Sequence, residues 1–525
     1  MNIFKALEPR PRNSNKFRKF TSGTVFAILL AASGARAEES KLWGRDGESW
    51  SPAGRLPDFS YAGYRAGARA IPDLPVKINV RDFGAVGDGL ADDTTAFLRA
   101  IEAVREGAIL IPRGRYRITA MLRVRKRGVV LRGEGEDQTV LFFPKPLAQT
   151  AGSGKAHAPG ESWSWSGGYL SFEGWDVGSK LGEVTSSARR GDKLLTVSEA
   201  GAMMPGQWIR LLLTDTDGSL ARHLHADQAD GAKAYHGRNL VDFASPIESV
   251  DGDKIVLARP LRTDVRLNWR PAVWAMDPSV QEVGVESLAI EFPEQKYAGH
   301  HDEPGYNAVS FEAVSNGWLR RVRIVNADSG VFLRNRTKFC TVQFLHFLAG
   351  PGRMRTGYGR DKGEPAAEVV GGHHGILAEG FAQDNLVSDF QLDYRFIHDT
   401  SVSAWSVGNV FSRGRGIDLN FDHHRRAPHE NLFTQIEAGQ GARLWQRGGD
   451  ESDGPPSGAR ETFWNVRAQR HQVPPSWGLQ GNFVGVATQE PSRLSADGNW
   501  WEAVDSARLT PANLYEAQRR NRLGR

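Results

Sequence analysis

Leu319-Arg-Arg-Val-Arg-Ile-Val-Asn326, Cys340-Thr-Val-Gln-Phe344, Asn385-Leu-Val-Ser-Asp-Phe390, Asn409-Val-Phe-Ser412, Asn431-Leu-Phe-Thr-Gln-Ile436 and Thr462-Phe-Trp-Asn-Val466 are variants of one short pattern. Aligned on Leu319, Thr341, Leu386, Val410, Leu432 and Phe463, they recur at spacings of 22, 45, 24, 22 and 31 residues. The two long intervals hold polar Gly/Pro-rich insertions, residues 350–372 and 448–458. A second series lies between them: Gly330-Val-Phe-Leu-Arg334, Gly375-Ile-Leu-Ala-Glu379, Thr400-Ser-Val-Ser-Ala-Trp405, Gly416-Ile-Asp-Leu-Asn420 and Ala442-Arg-Leu-Trp445. Both series are rich in β-branched and aromatic residues and bounded by Gly, Asn or Asp, which reads as strand and turn. A period of roughly 22–24 residues with several short strands per unit is that of a parallel β-helix coil.

The chain has 525 residues, 40% hydrophobic and 24% charged, an ordinary globular composition. A solenoid grows by adding coils, so this length is compatible with one long domain. Residues 1–37 read as a secretory signal: Arg10, Arg12, Lys16, Arg18 and Lys19 precede an apolar run over 25–32, then Ala35-Arg-Ala37. The run is shorter than the roughly 20 residues of a membrane span, and no later stretch is long and apolar enough for one. The net charge of +5 resides in this leader, whose seven Lys/Arg and one Glu leave the remainder at −1. Overall basicity is therefore no argument for nucleic acid, which is not expected as a partner. The single cysteine, Cys340, excludes an intrachain disulfide and is expected to pack inward.

Residues 38–75, rich in Gly, Pro and aromatics, read as an irregular arm packed on the body. The N-terminal cap and first coils are assigned to 76–165, with a loop over 144–165. Within them stands Val80-Arg-Asp-Phe-Gly-Ala-Val-Gly-Asp-Gly89, then Asp92-Asp-Thr-Thr-Ala-Phe-Leu-Arg-Ala-Ile101 and Ile109-Leu-Ile-Pro-Arg-Gly-Arg-Tyr-Arg-Ile118. Asp92, Asp93 or Thr94 caps a helix whose apolar face is Phe97, Ile101 and Val104. These 60 or so residues resemble the opening of the pectate-lyase-like superfamily, which includes pectate lyases, rhamnogalacturonases, related glycanases and phage tailspikes. The resemblance implies an all-β, right-handed parallel β-helix and makes Asp88, Asp92 and Asp93 turn and cap residues. Periodicity is lost over 166–275, read as an inserted β-subdomain whose His223, His225 and His236 lie in a solvated loop. The main coils occupy 276–485, and 486–525 forms a tail whose helix covers the open end, so that helices cap both ends.

Strand alternation sorts the second series by face. Val331, Leu333, Ile376, Ala378, Val402, Ala404, Ile417, Leu419 and Leu444 point inward. The outward ladder is Arg334, Glu379, Trp405, Asp418 with Asn420, and Arg443 with Trp445. Its tryptophans are platforms for sugar rings and its charges can position a polar polysaccharide or oligosaccharide. Around it cluster His373, His374, His398, Asp399, Asp422, His423, His424, Arg425, Arg426 and His429, a grouping that points to acid/base work or metal binding. Residues 416–425 form the expected catalytic segment.

Two chemistries fit. In β-elimination from a uronate, Arg or His neutralises the carboxylate and His or Arg removes the C5 proton, with Arg425, His423, His424 and His374 as candidates. In glycoside hydrolysis, Glu379 and Asp418 are acid and base, two coils or about 10 Å apart, which leans to inversion. The superfamily's hydrolase motif of neighbouring Asp pairs with Gly-His-Gly is not evident, and the density of His and Arg favours elimination. A non-catalytic glycan-binding protein is the third reading. Arg334, Trp405, Asn420, Asp422, Arg443 and Trp445 are the expected substrate contacts. No metal ligands are assigned, and no cofactor is required, although a divalent cation such as Ca2+ is compatible.

Overall fold

The computed structural model describes residues 37–150, 163, 167–228, 235–358 and 368–524. Residues 1–36 of the predicted leader lie outside them, as does most of the expected loop over 144–165.

Three parallel ladders run the length of the coils. On the first face Gly284–Glu291, Trp318–Val325, Thr341–Leu348, Leu386–Leu392, Val410–Ser412, Leu432–Glu437, Thr462–Arg467 and Asn482–Val486 pair in sequence order. The second face is a seven-stranded sheet of Leu122–Val124, Leu170–Glu173, Asn307–Glu312, Ser329–Arg334, Gly372–Ala378, Phe396–Val402 and Phe421–His423. The third face is narrower, with single bridges from Ser315 through Lys338, Gln383 and Val407 to His429.

Each long first-face strand bends at one residue of positive φ: Ser287, Arg321, Phe344, Asp389, Gln435, Asn465 and Gly485, at 53–61°. Only the last is glycine. A left-handed residue disfavours a Cβ by about 1–2 kcal/mol, so stacked neighbours hold these corners in place. Inside, Phe411, Phe433, Phe463 and Phe483 stack with centroids 4.8, 5.3 and 5.0 Å apart, close to the spacing of adjacent strands. At a neighbouring turn the buried amides of Asn385, Asn409 and Asn431 form a ladder, each Nδ2 donating over 2.9 Å to the next Oδ1 and finally to Glu461. Cys340 is buried in this core, as expected, and burial pushes its thiol pKa up.

The opening motif forms a cap. Phe97, Ile101 and Val104, on or just after the helix Thr94–Ala103, join the interior, with Phe97 edge-on to Tyr116. Asp88 accepts from the amides of Leu90 and Ala91, Asp93 from Val86 and Gly87, and Asp92 from Thr94 and Thr119. They are turn and cap residues.

Leu170–Glu173 belongs to the second face, so the insertion begins after it, and a bridge between Asp176 and Pro278 closes its neck. The inserted sheet has six antiparallel strands, from Lys180–Glu183 to Ala272–Ala275. The stretch expected to be a solvated loop contains a helix, Ser219–Leu224, and His225 is buried against its Ala221 carbonyl. Buried ion pairs dock the insert on the third face: Arg259 and Arg262 on Asp384, Arg262 on Glu430, and Lys338 on Asp242.

Trp43, Leu56 and Phe59 of the arm pack with the C-terminal helix Leu514–Leu523 over Val410, Leu432, Trp464 and Val484. That helix thus covers the last coils from the flank, while Trp501 closes the interior on Phe483 at 5.4 Å. Among the described residues no helix is long and apolar enough to cross a membrane.

Candidate functional site

Register on the second face sets which side chains look outward. Ser171, Ser310, Phe332, Leu377, Ser401 and Asp422 are cross-strand partners in one ladder. Glu173, Glu312 and Arg334 begin the next. Ser329, His374 and His398 are paired in a third. A Cβ at Gly375 would lie 3.1 Å from the Leu392 side chain, while Ile376 also packs in the interior. Two successive inward positions reset the alternation and leave the imidazole of His374 outside, 6.2 Å from the Phe332 ring.

The outward His and Asp side chains converge at the late end of this sheet. His373 and His374 stack at 4.3 Å, His374 and His398 at 4.9 Å, and His424 stands edge-on to His398 at 4.9 Å. Asp422 is the hub: its Oδ2 accepts from Ser401 at 2.8 Å and lies 2.8 Å from His424 Nδ1, and its Oδ1 accepts from the Gly448 amide at 2.6 Å. His398 Nδ1 is 3.2 Å from the same carboxylate but too far off line for a hydrogen bond. His300 reaches in from an adjoining turn, 4.6 Å from His373, and Glu303 lies 3.1 Å from His373 Nδ1.

Burial pushes His373, His374 and His398 well below the ordinary imidazole pKa, and their mutual proximity pushes the same way. Burial also opposes charge on His424, but the neighbouring Asp422 outweighs it and raises its pKa. Asp422 itself, despite burial, is held below the usual carboxylate range by His424 and Ser401. The result is three neutral imidazoles beside one imidazole–carboxylate pair. Of the cluster, His424 keeps 29% of its side chain exposed.

The insertion at 448–458 roofs this group. A Cβ at Gly448 would fall 2.5 Å from His424 Cε1 and 2.6 Å from His398 Cε1, so only glycine permits this approach. Arg425 holds the roof by donating to the Gly449 and Gly454 carbonyls, and Arg426 by pairing with Asp453 at 2.7 Å. Arg425 is therefore an anchor of the wall. Of the other insertion, 350–372, the described part is anchored by Arg353 on Asp328 and the Gly371 carbonyl, and Arg355 donates to the Ala298 carbonyl beside His300. Residues 359–367 lie outside the described residues.

Several sequence-predicted residues are elsewhere. The strand aligned with Ser401 is Phe421–His423, so residues 417–420 lie in the connection between two faces, after the first-face strand Arg415–Gly416. Ile417, expected inside, is 45% exposed. Asp418 is buried, accepting from the Ala442 amide at 2.8 Å and pairing with Arg395 at 3.2 Å. Asn420 is buried and bonded to the Asp399 backbone and carboxylate, and Arg443 is sealed on Asp399 and the Phe396 carbonyl. Trp445 packs edge-on to Phe463 and Phe483 in the interior. Trp405 stacks on Phe381 at 5.1 Å under Tyr235 of the insert. Neither tryptophan is a free platform. His423 points into the core, 4.5 Å from the Trp477 ring, its Nε2 3.4 Å from Glu461. Glu379 and Arg334 do face outward, but as an ion pair. The structure thus brings His374, His424 and Asp422 together with His373 and His398. His300, Glu303 and Ser401 were not singled out from sequence; the His300-His301-Asp302-Glu303 run was the available signal.

Residues 77–158 match the family described as rhamnogalacturonase A/epimerase, pectate lyase-like. The chain is similar to mannuronan C5-epimerase AlgE4 of Azotobacter vinelandii, 39% identical over 72 residues, 12% of this chain and 13% of that protein. It is also similar to AlgE6 of the same organism, 41% identical over 81 residues, 14% of this chain and 9% of that protein. The match thus spans only a small part of these relatives. Among solved structures, the AlgE6 A-module has a TM-score of 0.36 at 11% identity, covering 78% of this chain and 75% of that one. The tailspike protein gp49 of Pseudomonas phage LKA1 has a TM-score of 0.35 at 11% identity, covering 79% and 82%. The opening, residues 77–158, thus matches a pectate-lyase-like family, and the stacked parallel coils that follow it form a β-helix.

Proposed function

We propose that the chain is exported by its leader and cleaves a uronate-containing polysaccharide by β-elimination. The observation that carries this reading is the pair His424–Asp422, joined at 2.8 Å at the accessible end of the second face. With Nδ1 on the carboxylate, the imidazole presents Nε2 as a base. The C5–H bond breaks and its proton passes to Nε2. The electron pair forms the C4–C5 double bond, the C4–O bond to the leaving sugar breaks, and the departing oxygen takes a proton from water. Ser401 and the Gly448 amide fix Asp422 and so orient the base. The Glu379–Asp418 pair expected for inverting hydrolysis offers less support, because Asp418 is sealed under Arg395 and Glu379 is paired with Arg334. The relatives named mannuronan C5-epimerases add a second reading, since epimerisation at C5 begins with the same proton removal.

The test is incubation with a panel of polyuronates and neutral polysaccharides in deuterated water. Ultraviolet absorbance of the unsaturated uronide, reducing ends and deuterium at C5 are followed together. Absorbance appearing with new ends is the expected result. Ends without absorbance indicate hydrolysis, deuterium without chain cleavage indicates epimerisation, and glycan binding with no product indicates a binding protein. Each of these last three overturns the elimination reading.

A further inference from the structure

His398 poses a problem that proton transfer at His424 leaves unsolved. It is buried, and neither ring nitrogen makes a hydrogen bond. An unmet buried polar group costs about 1–3 kcal/mol, and a leucine or phenylalanine would pack there without it. The neighbouring rings share its burial. His373 and His374 are consecutive in Gly372–Ala378, equally buried, and His374 is the cross-strand partner of His398 on the next coil.

From this arrangement we infer that His373, His374 and His398 form a binding site for a divalent transition-metal ion, for which zinc is the probe. One nitrogen from each ring lies within 4.8 Å of the other two. Zinc–imidazole bonds of about 2.0–2.1 Å need those nitrogens somewhat closer, a change reached by rotation about the soft imidazole torsions. An oxygen flanks Nδ1 of every ring: Glu303 at 3.1 Å from His373, Ser401 at 3.4 Å from His374, and Asp422 at 3.2 Å from His398. With oxygens on that side, Nε2 is the atom left free to ligate, as when carboxylates and carbonyls stand behind metal-bound histidines.

The donor set selects the ion. Three imidazoles suit zinc, cobalt, nickel or copper, whereas calcium and magnesium take oxygen ligands. Two overlapping groups fit less well. His300, His301 and His373 include an exposed His301, and His398, Asp422 and His424 would require the bonded Asp422–His424 pair to part. Three protein ligands leave a coordination position open. Resting on the elimination reading, that position would receive the uronate carboxylate and neutralise it beside His424, a task Arg334 is ill placed for while Glu379 and Glu312 hold its charge.

The experiment uses the full chain, stripped with a chelator and titrated with zinc in chelator-buffered solution, metal content being read by elemental analysis. A cobalt-loaded sample reports coordination through its visible spectrum. One ion per chain is expected, with roughly 100-fold or weaker binding in His398→Gln and His374→Gln and unchanged binding in His301→Ala. Thermal unfolding of each metal-free variant verifies its fold. Failure to retain zinc, equal retention by the His398 and His374 variants, or an octahedral all-oxygen cobalt spectrum overturns the site. Stoichiometric zinc with no elimination on any glycan supports the site while removing the elimination reading. Full elimination by the stripped protein overturns the ion's part in the reaction.

Discussion

His424 Nδ1 lies 2.8 Å from Asp422 Oδ2 on the outer face of the second sheet, while the residue between them, His423, is turned into the solenoid. Two residues on one strand end thus share an electrostatic unit that their intervening neighbour does not join. Replacing His424 by Gln removes the proposed base and leaves the core untouched. Turnover is expected to fall by roughly 10²–10⁴-fold, with the unfolding temperature little changed, as steady-state kinetics and thermal melts on the same preparation will show. Equal turnover in His424→Gln would remove this residue from the chemistry.

His423→Ala has the opposite signature. The side chain fills space between Phe433, Phe463 and Trp477, so its removal leaves a cavity worth about 2–4 kcal/mol. Denaturant unfolding should record that loss, and kcat measured well below the melting point should stay near the parent value. A collapse of kcat without loss of stability would place His423 in the reaction after all.

The contrast shows which parts of the site were legible. The period of the repeats revealed the coils, and alternation correctly turned Arg334 and Glu379 outward. It failed on the coil after Thr400–Val402 because Gly416-Ile-Asp-Leu-Asn420 looks like a strand, yet the sheet pairs Phe421–His423 with Thr400–Val402. A shift of this kind exchanges inside for outside and made Asp418, rather than Asp422, the predicted carboxylate. The tryptophans were misread for another reason. Trp405 is covered by the insert, whose docking depends on Asp242, Arg259 and Arg262, and no local pattern announces a contact so distant in sequence. The stacking of His373, His374 and His398 likewise depends on cross-coil register as well as on the reset at Gly375.

Asn409 is central to the amide ladder, donating to Asn431 and to the Ala382 carbonyl and accepting from Asn385. Asn409→Ala leaves buried polar groups on both neighbouring coils without their partner. Each such group costs about 1–3 kcal/mol, so the urea midpoint should drop clearly. Asn409→Asp is expected to be no better, since the carboxylate can accept from Asn385 but cannot donate to Asn431. Near-parental stability of both variants would mean the ladder is incidental.

Asp384 receives Arg259 at 2.7 Å and Arg262 at 2.7 Å in a fully buried setting between insert and coils. Removing this carboxylate leaves Arg259 without its ion-pair partner and Arg262 with Glu430 alone, a change typically worth about 3–5 kcal/mol. Asp384→Asn is therefore expected to loosen the insert and expose its neck near Asp176 and Pro278 to limited proteolysis. Cleavage there should be much faster than in the parent, with the coil fragment surviving. Unchanged protease resistance would show that apolar contacts around Trp405 suffice to dock the insert.

His429 supplies a prediction in pH. It is buried, its Nδ1 is 2.9 Å from the Ala427 carbonyl, and burial lowers its pKa to about 4 although Glu430 pulls upward. In the unfolded chain an imidazole titrates near 6.5, so as pH falls the unfolded state binds the proton first. The stability contributed by the neutral ring is therefore complete above about pH 6.5, declines as pH falls toward 4, and levels off below it. The full difference is about 3 kcal/mol. His429→Gln cannot take up that proton. Denaturant midpoints measured between pH 7 and about pH 4 should fall less steeply in the variant, and subtracting the two profiles isolates His429 from the other titrating groups. Parallel profiles would mean that the ring is already protonated when the protein is folded.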